Sequence, residues 1–146
     1  MMNKNFSEQA SLIKAKILSL PSAEARYDYL IELGRKAPAY PESLKTPDRI
    51  VSGCQSVLYL SARFEQGALF FTSYSEALLS AGLAALLTTL YNGSCPQTIL
   101  LNPPTFLQEI GLLASLSPSR SNGFSSLYLK MKQEAVKYIL QPSEKQ

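Results

Sequence analysis

Apolar positions along this 146-residue chain follow a helical spacing near its two ends and in its middle, and an extended spacing between residues 50 and 74. Over residues 7–19, Leu12, Ile13, Ala15, Ile17 and Leu18 make one broad apolar face behind Ser7 and a first-turn Glu8, which predicts a short amphipathic helix. Pro21 interrupts that pattern. Ser22 is a good N-cap for a second helix in which Ala25, Tyr29, Leu30 and Leu33 share a face, with Gly34 as its natural stop. The pair reads as a helical hairpin.

Pro38, Pro41 and Pro47 forbid regular helix over residues 36–48 and predict an extended connection. Ile50 and Val51 then begin an extended stretch, residues 57–64 have strand composition, Glu65-Gln66-Gly67 makes a three-residue turn, and residues 68–74 return antiparallel. Ser75 followed by Glu76 looks like a cap with an acidic first-turn residue, and residues 76–91 form a helix apolar nearly all round, hence central. Asn92-Gly93 closes it. Pro96 starts a short helical turn through Leu101, and Pro103-Pro104 precede another short helix over residues 105–110. Residues 111–118 read as a loop with Leu112, Leu113 and Leu116 turned inward. After residues 119–124 a last amphipathic helix runs to about Leu140 with Leu127, Met131, Ala135 and Tyr138 on one face, ended by Pro142.

The length suits one domain over residues 1–146, able to bury about 70% of its unfolded surface. Its core is expected at about residues 7–140, with short flexible termini. No apolar run is long enough to span a membrane, and residues 1–6 carry neither an apolar stretch nor a small-residue cleavage site, so the cytoplasm is the expected setting. A net charge of +3, spread from Lys4 to Lys145 without an aromatic-interleaved basic patch, argues against nucleic-acid binding. The chain has no histidine, which excludes Cys-His dyads, Ser-His-Asp triads and His-bearing metal sites, and its two cysteines fall short of a structural zinc set.

Chemistry therefore rests on Gly53-Cys54-Gln55-Ser56, a turn at the entry of the predicted hairpin. A free cysteine is commonly a small buried hydrophobe. Glycine before this thiol and serine after it instead describe a turn, where another molecule can reach the sulfur. Cys95, between Ser94 and Pro96 in a helix connection, reads as structural. Arg120 is either a solvated charge or, with helix N-terminal amides, a source of positive potential for a nearby thiolate or persulfide. Arg49, five residues before Cys54, either lowers a thiol pKa or faces water, and Glu76 reads as a dipole residue.

Residues 26–34 (RYDYLIELG), the loop ending Leu44-Lys45-Thr46-Pro47, the block Val51-Ser52-Gly53-Cys54-Gln55-Ser56, residues 82–87 (GLAALL) and residues 116–123 (LSPSRSNG) occur in the order seen in the SufE family. The resemblance covers about residues 8–138. It implies an α+β fold, a small antiparallel sheet of about three strands packed against helices, close to the IscU-type scaffolds. It also implies a sulfur-transfer accessory protein of iron–sulfur assembly: Cys54 accepts persulfide sulfur from a SufS-type cysteine desulfurase and passes it to a SufBCD-type scaffold. Gly53, Gln55, Ser56 and Arg120 are the supporting residues. The pyridoxal-phosphate cofactor belongs to the desulfurase, and none is expected here. Three departures stand out: Val57-Leu58-Tyr59 with no tryptophan, Glu76 where aspartate is common, and Ser52 where proline is frequent.

Two other readings stay open from sequence: a regulator that activates a desulfurase without accepting sulfur, and a CsdE-like relay to a different acceptor. A cluster scaffold is disfavoured, because such scaffolds use three cysteines. Monomer and homodimer are both open.

Overall fold

The computed structural model describes residues 6–54, 56–112 and 118–140, and of residues 118–121 the backbone alone. Helix α1 (Phe6–Leu18) and helix α2 (Ala23–Lys36) form the expected hairpin, with Ser22 Oγ accepting from the Ala25 N–H at 3.1 Å as the N-cap. Ser7 lies within α1. The predicted broad face narrows to Ile13 and Ile17, one turn apart; Leu12 and Leu18 point to solvent, being 66% and 57% exposed.

Gly34 does not stop α2, which continues to Lys36. It serves a close helix crossing instead. A Cβ at residue 34 would stand 3.0 Å from the Gly82 nitrogen of α3 (Leu78–Tyr91), and a Cβ at residue 82 would run into the Leu30 carbonyl. Two glycines facing each other let the two backbones approach closely.

Residues 37–50 hold two single-turn 3₁₀ helices, Glu42–Leu44 and Pro47–Arg49. Strands β1 (Leu58–Glu65) and β2 (Ala68–Ser75) pair antiparallel from Leu58↔Ser75 to Glu65↔Ala68. The turn has two residues, not three, because Glu65 itself pairs; Gln66 and Gly67 take φ of 52° and 83°, the two positive values of a type I′ turn.

The described residues carry two strands where about three were expected. The third position is reduced to bridges. Ile50 bridges Tyr59 on the outer edge of β1, too close to the Gly53 turn to extend, and Ser94 bridges Leu69 on the edge of β2. Asn92 reinforces the second edge: its Oδ1 accepts from the Phe71 N–H at 2.7 Å and its Nδ2 donates to the Phe71 carbonyl at 3.3 Å.

Helix α3 is central, as its composition predicts. It packs on α1, α2, β2 and the last helix, and Leu83, Ala84, Ala85, Leu86, Leu87, Leu90 and Tyr91 are all buried. It begins two residues later than expected because β2 runs through Ser75, whose Oγ accepts from the Ala77 N–H at 3.2 Å; Glu76 is thus outside the helix. Short helices α4 (Pro96–Leu101) and α5 (Thr105–Glu109) follow, and Leu112 is buried; Leu113 and Leu116 lie outside the described residues, as do the expected flexible ends.

Helix α6 (Pro118–Leu140) starts well before the predicted point, with proline at its first residue, so Arg120, Asn122 and Gly123 are helical. Phe124, Leu127, Met131 and Ala135 face the core, and Tyr138 stacks on Phe64 with centroids 4.6 Å apart. No helix among the described residues is long and apolar enough to cross a membrane.

Candidate functional site

The Val51 N–H donates to the Leu58 carbonyl at 2.8 Å, one step beyond the Ile50–Tyr59 bridge. That bond closes a loop with Cys54 at its middle. Gly53 reaches a φ of +88°, the left-handed region that glycine enters without a Cβ penalty, and this turns the chain so that the next side chain faces inward.

The loop lies along α6. Cys54 Sγ sits 3.9 Å from the Gly123 carbonyl oxygen, Gly53 lies against the Ser126 side chain, and Lys130 Nζ donates to the Asp48 carbonyl at 3.2 Å. Residues 123, 126 and 130 recur at three and four positions, one face of a helix, so residues 48–54 run antiparallel to α6 along that face. Chain segments about 70 residues apart in sequence thus make one site.

Cys54 is half-buried against the edge of the apolar core. Burial pushes its thiol pKa above the ordinary value, because the low-dielectric surroundings disfavour the thiolate. Arg49 does not offset this: its Nη1 donates to Thr46 Oγ1 at 2.7 Å and lies 4.0 Å from Asp48 Oδ1, so the guanidinium is engaged within its own turn. The resting sulfur is half-buried, in surroundings that favour the thiol over the thiolate.

Ser56 and Val57 border a groove of about 550 Å³ walled by Glu42, Lys45, Tyr59, Tyr74 and Glu76. Lys45 Nζ is 3.1 Å from Glu42 Oε1 and 3.7 Å from the Tyr74 ring centroid, and the Glu42 hydrogen bond holds its pKa up. Tyr40 stacks on Tyr59 and tilts against Tyr74 at 6.0 and 6.2 Å. Glu76, read in sequence as a helix-dipole residue, is a wall of this groove.

Of the predicted residues, the structure brings Gly53 and Cys54 onto α6 and sets Ser56 at the groove. Arg120 lies in the first turn of α6, three residues before Gly123; its side chain and all of Gln55 lie outside the described residues. Cys95 sits at the start of α4 with Sγ 3.1 Å from Thr98 Oγ1. Sequence reasoning missed Gly123 and Ser126 as site residues. The signal is present as two small residues three apart, but Asn122-Gly123 resembles a turn and so masks the helical spacing.

The sequence pattern that defines the SufE "Fe-S metabolism associated domain" matches residues 11–135. An uncharacterised SufE-like protein of Synechocystis sp. is 36% identical over 115 residues, which are 79% of this chain and 72% of that protein. The solution structure of a hypothetical protein from Thermus thermophilus superposes with a TM-score of 0.74 at 25% identity, covering 96% of this chain and 99% of the other. With a match across most of its length, and with the α+β architecture of a small antiparallel sheet on helices, the chain belongs to the SufE family.

Proposed function

We propose that this chain is a sulfur carrier of iron–sulfur metabolism whose Cys54 accepts sulfur from a SufS-type cysteine desulfurase and hands it to a SufBCD-type scaffold. The observation that supports it most directly is the seat of Cys54: a free thiol at the middle of a closed loop, shielded against α6, next to a glycine whose backbone can re-aim it.

In the accepting step the Cys54 thiolate attacks the terminal sulfur of the partner's cysteine persulfide. A new Sγ–S bond forms, the partner's S–S bond breaks, and the partner's cysteine leaves as thiolate. One persulfide and one thiol become one thiol and one persulfide, so protons and electrons balance and no external oxidant enters. Only the thiolate attacks, and burial disfavours it at rest, so the loop moves outward on docking with Gly53 as its hinge. Arg120, Gln55 and Ser56 are assigned supporting roles in this exchange. A reducing compartment such as the cytoplasm suits two free cysteines.

Incubation with a cognate desulfurase and cysteine, followed by intact mass, tests the reading. Wild type gains one sulfur atom and Cys54→Ser gains none. Equal stimulation of the desulfurase by both proteins, with no sulfur on either, overturns the acceptor role in favour of pure activation.

A further inference from the structure

Other glycines of the chain have a reason in the backbone or the packing. Gly53 is left-handed, Gly82 faces the Leu30 carbonyl, and Gly34 faces Gly82. Gly123 has neither reason. It stands within α6, where alanine is the better helix former, and a Cβ there would meet, among the described residues outside its own helix, Cys54 alone: Sγ at 3.4 Å and Cβ at 3.9 Å. Those are ordinary van der Waals distances. An alanine fits beside the thiol, yet among the described residues that space is left open against the sulfur.

We infer that Gly123 is a positioning residue for the carrier state: the space left by its missing side chain holds the terminal sulfur of the Cys54 persulfide. The inference rests on the acceptor reading above. An S–S bond places the second sulfur about 2 Å beyond Sγ, within the region that a Cβ at residue 123 would take. The thiol leaves the space unfilled and the persulfide fills it, so close packing favours the loaded loop in its inward position. Glycine at 123 thereby keeps the transferred sulfur away from solvent nucleophiles between its two partners. An alanine leaves the thiol seated and drives the persulfide out.

The test compares full-length Cys95→Ser protein with Cys95→Ser/Gly123→Ala, so that Cys54 is the only thiol. Both are loaded with inorganic polysulfide, in which the Cys54 thiolate takes a terminal sulfur and a shortened polysulfide or hydrosulfide leaves. Cyanide then attacks that sulfur, releasing thiocyanate and regenerating the Cys54 thiolate. Thiocyanate release is expected to be about tenfold faster from the protein carrying Gly123→Ala, the scale set by overpacking a filled site by one methyl group. Alkylation of the unloaded thiol by iodoacetamide is expected to agree between the two proteins within about twofold, since alanine makes only ordinary contact there. Equal thiocyanate rates overturn the inference. So does an alkylation rate that rises by the same factor, which would mean that alanine merely dislodges the loop, and so does a Gly123→Ala protein that fails to fold. A desulfurase that never loads Cys54 refutes the carrier function, while the polysulfide-loaded proteins still decide the role of Gly123.

Discussion

A methyl group at residue 53 would stand 2.6 Å from Ser126 Oγ, with φ of residue 53 at +88°. The relationship fixes how the cysteine loop rests on α6: the turn is left-handed and pressed against the helix, which leaves room for hydrogen alone. Gly53→Ala is expected to destabilise the protein by about 1–3 kcal/mol, the usual cost of a side chain in a sparsely populated backbone region. It is also expected to raise the rate at which Cys54 reacts with a disulfide reagent, because relief of the strain lifts the loop. Urea unfolding and thiol titration read the two effects. Adding Ser126→Ala removes the contact but leaves the φ strain, so recovery of wild-type stability in the double variant would show that φ is not the cause.

Gly82 and Leu30 test the frame that carries the loop. The α2–α3 crossing brings the Leu30 carbonyl against the Gly82 Cα, and no flexible side chain is available to give way. Gly82→Ala is expected to cost about 3 kcal/mol by overpacking, lowering the melting temperature by about 6–12 °C. A melt within a degree of wild type would mean that the helices separate freely and that the crossing does not hold α3 in place. Cys54 alkylation in the folded variant reports whether the frame and the loop are coupled.

Local pattern carried most of the element list. Ser22 caps α2 as read, the apolar run of α3 is buried as read, and Leu127, Met131 and Ala135 line the inner face of α6 as read. What local pattern does not carry is which glycine is a stop and which is a contact. Gly34 and Gly123 both resemble breakers in sequence, and both lie in helix with a tertiary neighbour beside them, α3 for one and the cysteine loop for the other. The cysteine was legible from its turn and its family block. Its partner surface was not, because residues 53 and 54 meet residues 123 and 126 only through the fold. The upward shift of the thiol was hidden for the same reason: Arg49 is close in sequence but is bound to Thr46 and Asp48, so burial decides.

That shift predicts a pH dependence with a definite sign. Cys54 has a folded pKa raised by burial, whereas in the unfolded chain it titrates near the ordinary thiol value of about 8.5. The folded state therefore holds the proton where the unfolded state has begun to release it. The resulting stability is fully present below about pH 8.5 and is lost as pH rises through the folded pKa. Urea unfolding of wild type and Cys54→Ser at a series of pH values isolates it. Tyr29, Tyr40, Tyr91 and Tyr128 are also raised, chiefly by burial, but they titrate alike in both proteins and cancel in the difference. The stability of wild type relative to Cys54→Ser is expected to fall above about pH 8.5, and the alkylation of Cys54 to show its midpoint above that value in the free protein. A flat difference would show that burial does not act on the thiol, and a midpoint below the ordinary thiol value would show that the resting loop already presents a thiolate.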